Sequence, residues 1–267
     1  MFAPRLARCL FLLSAVAWLH LDAISVSTSA QQLRIETHVF VDDETEPVSH
    51  NVTLFDSTTV YDFGDQPQQI AVFRAPTASH PGSFILLDPE TKSRTEVSTE
   101  RIAGLMKKLT RWAGEQEDDL LKFSAEPKFE QSFDSETGVL TLNSPLWNYT
   151  VATVPAENAE ALAHYREFTD WYTRLSSMMQ SSLPPGARLK LNAALADHSV
   201  VPVEIRRTVK SETSALRSTH LFTWRLSRED RDRIDETQGY LANFKKIGNE
   251  EFLARKSGED VVRGQSK

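Results

Sequence analysis

Histidines and carboxylates are the side chains best suited to chemistry here, and their spacing points to little of it. The chain has seven histidines. His20 falls in the N-terminal apolar run, which leaves His38, His50, His80, His164, His198 and His220. Zinc takes three or four ligands, often delivered as close pairs. The closest pair is His38 and His50, which become cross-strand neighbours if the first two strands form a hairpin. His50 alternates with Val48, Val52 and Leu54, whereas His38 shares the polar face of its strand with Arg34 and Glu36. The two therefore read as unrelated side chains, and no metal ligand is assigned. Asp42-Asp43-Glu44 with Glu46 is oxygen-rich but lacks the alternating spacing and glycine of a calcium loop, so it reads as a solvated turn. Glu115 to Asp119 reads as an exposed helix break. There is no nucleophile elbow, phosphate-binding glycine loop, His-Glu-x-x-His helix or dinucleotide fingerprint. No catalytic residue and no cofactor is assigned.

The N-terminus reads as an export signal. Arg5 and Arg8 precede the apolar run Leu10 to Leu21, and small residues lead to Ala30. The run is shorter than the about 20 apolar residues that span a bilayer. The expectation is a signal peptide over 1–30, an exported protein in the periplasm or outside the cell, and no integral membrane segment after cleavage. The chain's one cysteine, Cys9, would leave with that peptide. Disulfides, thiolate metal sites and cysteine nucleophiles are then excluded, and the core must carry stability alone. A formal charge of −7 repels nucleic acid as a partner.

Period-two alternation begins at Leu33. Leu33, Ile35, Val39 and Val41 share one face, and similar segments follow at Val48–Leu54, Val60–Phe63, Ile70–Phe73, Ser83–Leu87 and Lys92–Val97. These predict an antiparallel meander of six strands. Ile102, Leu105, Met106, Leu109 and Trp112 then mark a helix, with Ser98 as its cap and a Val97–Ile102 staple. A short helix is expected over Asp118 to Ser124. A hairpin of Phe129–Phe133 and Val139–Leu142 follows, with a further strand at Trp147–Val151.

The longest helix is expected to enter near Pro155, a first-turn residue. It carries Leu162, Tyr165, Phe168, Trp171, Tyr172, Leu175 and Met178 on one side. After Pro184-Pro185-Gly186, residues 188–196 read as helix, 200–209 and 219–226 as a hairpin, and Ser227 with Asp230 as a capping-box start. Residues 31–256 read as one α+β domain, a curved antiparallel β-sheet (half-barrel-like) covered on one face by helices, with a polar tail at 257–267. Asn51-Val52-Thr53 and Asn148-Tyr149-Thr150 would accept glycans only in a eukaryotic secretory pathway.

The aromatic stripe is the candidate ligand site. Tyr165, Phe168, Trp171, Tyr172 and Met178 would line a cavity if their helix lay across the mouth of a curved sheet; packing against the sheet explains the same residues. The order of strands, the turn Phe84 to Lys92 and the step from Val97-Ser98 into a helix resemble the periplasmic lipoprotein-carrier (LolA-like) superfamily. That resemblance implies a half-barrel holding acyl chains beneath helices. It departs from the family in starting on a strand rather than a helix, and no residue matches that family's lipid-binding arginine. The expected function is an exported, non-catalytic domain binding a lipid or other apolar ligand between sheet and helices. The alternatives are a structural or protein-interaction component of the cell envelope and, more remotely, a hydrolase with an unrecognised site.

Overall fold

A computed structural model describes residues 32–65, 68–157, 159–180 and 183–255. The expected signal peptide and polar tail lie outside the described residues.

Twelve strands form one sheet, open at both edges and antiparallel throughout except for its last, two-residue strand. Strands β1 (Gln32–Val41), β2 (Ser49–Asp56), β3 (Thr59–Asp65), β4 (Gln68–Arg74), β5 (Ser83–Asp88) and β6 (Ser93–Ser98) make the expected meander. Helices α1 (Thr99–Gly114) and α2 (Asp119–Ala125) follow. Strands β7 (Glu130–Asp134), β8 (Val139–Asn143) and β9 (Trp147–Pro155) form a second meander. Helices α3 (Ala159–Met179) and α4 (Gly186–Asp197) precede β10 (Val200–Val209) and β11 (Leu216–Thr223). Strand β11 pairs with β1 and so joins the two meanders. Helix α5 (Arg228–Asn243), β12 (Lys245–Lys246) and helical residues 249–255 complete the described chain. The α+β class and the curved antiparallel platform are those expected from the alternation.

Local chemistry explains the helix boundaries. Ser98 accepts a hydrogen bond from the Arg101 amide, and Val97 and Ile102 are both buried in the same cluster as the expected staple. Asp118 caps α2 through the Leu121 amide at 2.8 Å. Ser227 and Asp230 complete a capping box on α5.

Pro155 does not open the long helix but closes β9, opposite Val200. Strand β8 pairs only as far as Ala152, and the Thr153 amide, two residues earlier, points to that side. A residue without an N–H therefore costs no ladder bond there. Strand β11 also starts earlier than the alternation suggested, at Leu216, so the 210–217 connection is shorter than expected.

Two apolar clusters share the inner face. One joins β1–β6 to α1 and α3, with Phe168 among Phe55, Phe73 and Phe84 at ring distances of 5.6, 5.9 and 6.4 Å. The other joins β8–β10 to α4 through residues such as Leu140, Val151, Leu191 and Ile205. A third cluster lies on the outer face, where α5 places Ile234, Tyr240 and Leu241 over Val52, Leu54, Tyr61 and Val72. Strands β2–β5 are therefore covered on both sides, an addition to the helical cover expected on one face. Beyond α5 the chain rounds the β6 edge, and Phe252 joins the inner cluster.

Candidate functional site

The two inner clusters do not meet. Between them lies a cavity of about 860 Å³, walled by the sheet, α1, α3 and the start of α4. Its apolar wall includes Ile35, Val39, Tyr165, Phe168, Ile205 and Leu216. Trp112, half exposed, stands at its α1 side.

Of the residues expected to meet a ligand, Tyr165, Phe168 and Tyr172 line this cavity. Trp171 and Met178 pack against the inner cluster instead, and the Arg174 guanidinium sits 5.1 Å over the Trp171 ring. A helix face broad enough to hold all five cannot turn every one of them to a single hollow. Arg174 also donates to the Asp170 carbonyl at 2.8 Å.

A polar stripe crosses the inner face from β11 to β3. His220 shares its two ring nitrogens with the hydroxyls of Thr37, at 3.1 Å, and Ser218, at 3.0 Å. Asn51 donates to Asp62 at 2.8 Å and Thr53 to the same carboxylate oxygen at 2.6 Å. The Tyr172 hydroxyl faces that carboxylate from the helix above. Asn51 is thus committed inside the fold, away from any role as a surface glycan acceptor.

Each titratable group on this wall is pushed toward its uncharged form. Burial raises the Asp62 carboxyl against the stabilising influence of Thr53, Asn51 and Tyr172. The Asp62 charge, then burial, lifts the Tyr172 phenol well above its ordinary value, and burial lifts that of Tyr165. Burial, aided by the Arg188 charge, lowers His220 to about 3. His220 is nonetheless half-buried rather than sealed, because the cavity lies on one side of it. Asp62 and His220 stand three strands apart, about 14 Å at the usual strand spacing, which is too far to exchange a proton directly.

The cationic wall is different. Arg207 lies 5.4 Å over the Trp147 ring and donates to Glu212 at 2.6 Å. Its Nε is a buried donor without a partner among the described residues, and Trp147 Nε1 lies near the Tyr149 hydroxyl without completing a hydrogen bond. Arg188, half-buried at the start of α4, donates from Nε to Asn192 at 3.0 Å, and Asn192 donates to Asp170 at 2.9 Å. Among the described residues no carboxylate forms an ion pair with Arg188, although its charge is felt at Tyr149, Tyr165 and His220. Close packing fixes its place: a side chain at Gly186 would meet the Ser124 carbonyl at 2.4 Å, so only glycine lets α4 start against α2.

Sequence reasoning missed Arg188, Asp62 and His220 as neighbours of one space. The polar interruption in Val60-Tyr61-Asp62-Phe63 was the available signal, since an aspartate inside an otherwise apolar strand needs a partner.

The chain matches no known protein family, and no curated protein is similar to it. Among the described residues no helix is long and apolar enough to cross a membrane.

Proposed function

We propose that this protein is an exported, non-catalytic binding protein that encloses an amphiphile between sheet and helices. The ligand has an apolar body and a carboxylate-like head. The observation that carries this reading is Arg188, a guanidinium without a carboxylate partner among the described residues, in the wall of a cavity of about 860 Å³. Ligand pockets run to about 300–1,000 Å³ and are mostly apolar, with a few polar groups that fix orientation. Arginine keeps its charge at any physiological pH and offers a fork that fits a carboxylate. The stripe from His220 to Asp62 offers hydroxyl and amide partners to polar atoms along the ligand.

Binding rather than hydrolysis is favoured by the separation of the two perturbed groups. A general acid and base must both reach one reacting bond, and Asp62 and His220 lie on the third and eleventh strands with β1 and β2 between them.

The test is a titration of delipidated protein, from residue 31 onward, with a fluorescent fatty acid. Saturable one-to-one binding that the free fatty acid displaces better than its methyl ester is expected. No saturable binding, or equal displacement by acid and ester, would overturn the proposal.

A further inference from the structure

We propose a second site, for a divalent transition metal of the zinc type, on the outer face of the sheet. Glu36, His38 and His50 are its ligands. It is independent of the cavity, since these residues point to the opposite side of β1 and β2.

The register makes the site. His38 lies directly across from His50, and Glu36 across from Val52, two residues along. Glu36, His38 and His50 therefore share one face, not the two faces that residue polarity suggested. The reason lies in α5, which covers the outer face over β2–β5 with apolar residues and meets β1 at its start, through Gln32 and Arg34. His50 thus sits at the boundary where the outer face turns from apolar to polar.

One ligand atom from each of the three lies within 4.8 Å of the others. His50 Nε2 is 3.2 Å from Glu36 Oε1, and His38 Nε2 is 3.9 Å from the same oxygen. Donors held about 2.0–2.1 Å from a tetrahedral ion stand about 3.3 Å apart, so the Glu36–His50 edge already has that length. The His38 ring is stacked on His50 at 4.5 Å and is the ligand that must turn to bring its lone pair onto the ion.

The surroundings match what a metal-bound histidine needs. Asp65 lies 2.5 Å from His50 Nδ1, the carboxylate partner that fixes a ligating imidazole with Nε2 outward. Arg34 holds Glu36 Oε2 at 2.8 Å and reaches Asp230 at 3.4 Å, which leaves Oε1 directed at the histidines. All three ligands are half-buried. Two imidazoles and one carboxylate suit zinc, cobalt or nickel and disfavour calcium and magnesium, which take oxygen ligands.

The experiment uses untagged protein from residue 31 onward, stripped with chelator and titrated with zinc chloride by calorimetry. Cobalt(II) absorption serves as a second readout. One equivalent is expected to bind, with visible d–d bands that zinc abolishes. His50→Ala and His38→Ala should each remove that binding, and Asp65→Asn should weaken it about 10–100-fold, as loss of such a carboxylate partner does. His80→Ala, an exposed histidine elsewhere, should leave it unchanged. Metal-free melting curves check that each variant is folded, and Glu36→Gln supplies a further ligand test if a histidine variant is not. Absence of stoichiometric binding, or binding that survives the loss of His38 and His50 in folded protein, overturns the proposal.

Discussion

Strands β1 and β2 carry a polar group on each face, and the two groups handle charge in opposite ways. Inside, Thr37, Asn51 and Thr53 hold His220 and Asp62 with hydroxyls and an amide, and burial drives both toward their neutral forms. Outside, Glu36 and Asp65 flank the His50 ring, and Arg34 pairs with Glu36. Adjacent residues along one strand, such as Thr37 and His38, thus belong to different chemistries. The difference teaches that enclosure, rather than residue type, sets the work each face can do. A wall that suppresses its own charges leaves Arg188 as the feature an anion would find, while an open face that concentrates carboxylates and imidazoles suits a cation.

The sharpest break between the faces should be in stability. Phe168→Ala removes the ring that joins Phe55, Phe73 and Phe84 on the inner side and should cost about 3–5 kcal/mol, read by urea unfolding. His38→Ala, on the open side, should stay within about 0.5 kcal/mol. Similar losses from both would mean the inner cluster is not the core.

Affinity for the cavity ligand should be the next largest effect. Arg188→Met should weaken fatty-acid binding at least tenfold, or about 1.4 kcal/mol, while melting changes little. An unchanged affinity would remove the cationic pole from the account.

Asp62 sharpens the comparison further. Asp62→Leu strands the donors of Asn51 and Thr53 and should cost about 1–3 kcal/mol. Asp62→Asn keeps an acceptor and sheds a buried acid, so it should be nearly neutral or stabilising at pH 7. Equal losses from the two would show that the carboxylate charge itself is needed.

The smallest effect is in pH dependence. His220 binds its proton more weakly folded than unfolded, so its contribution is complete above about 6.5 and is lost as pH falls toward about 3. Asp62 acts in the other direction: its contribution is present below 3.8 and is lost as pH rises through its raised value. The loss of stability between pH 7 and pH 5 should therefore be smaller in His220→Asn than in the natural protein. Identical losses in chemical unfolding would place His220 in an environment no drier than the outer face.

Most of the platform was legible because alternation and capping are local. The Val97–Ile102 staple, the Ser227 box and the strands of the first meander all follow from neighbours in sequence. The start of the outer helix was read, but not its place over the sheet, although the continuous apolar runs Ile70–Phe73 and Phe84–Leu87 are what strands covered on both faces require. That omission propagated to the histidines. With α5 unplaced, the apolar neighbours of His50 and the polar ones of His38 suggested opposite faces, whereas pairing sets them side by side. The cavity was legible only in part. Tyr165, Phe168 and Tyr172 lie on a readable helical stripe, but Arg188 and His220 meet them through packing between elements far apart in the chain.

Tryptophan quenching tests the enclosed ligand most directly. Trp112 and Trp147 line the cavity, whereas Trp171 and Trp224 pack against the inner cluster outside it. Brominated fatty acid should quench a saturable part of the fluorescence at one equivalent, and Trp147→Phe should remove much of that part. Quenching that rises linearly without saturation, or none at all, would contradict a bound amphiphile between sheet and helices.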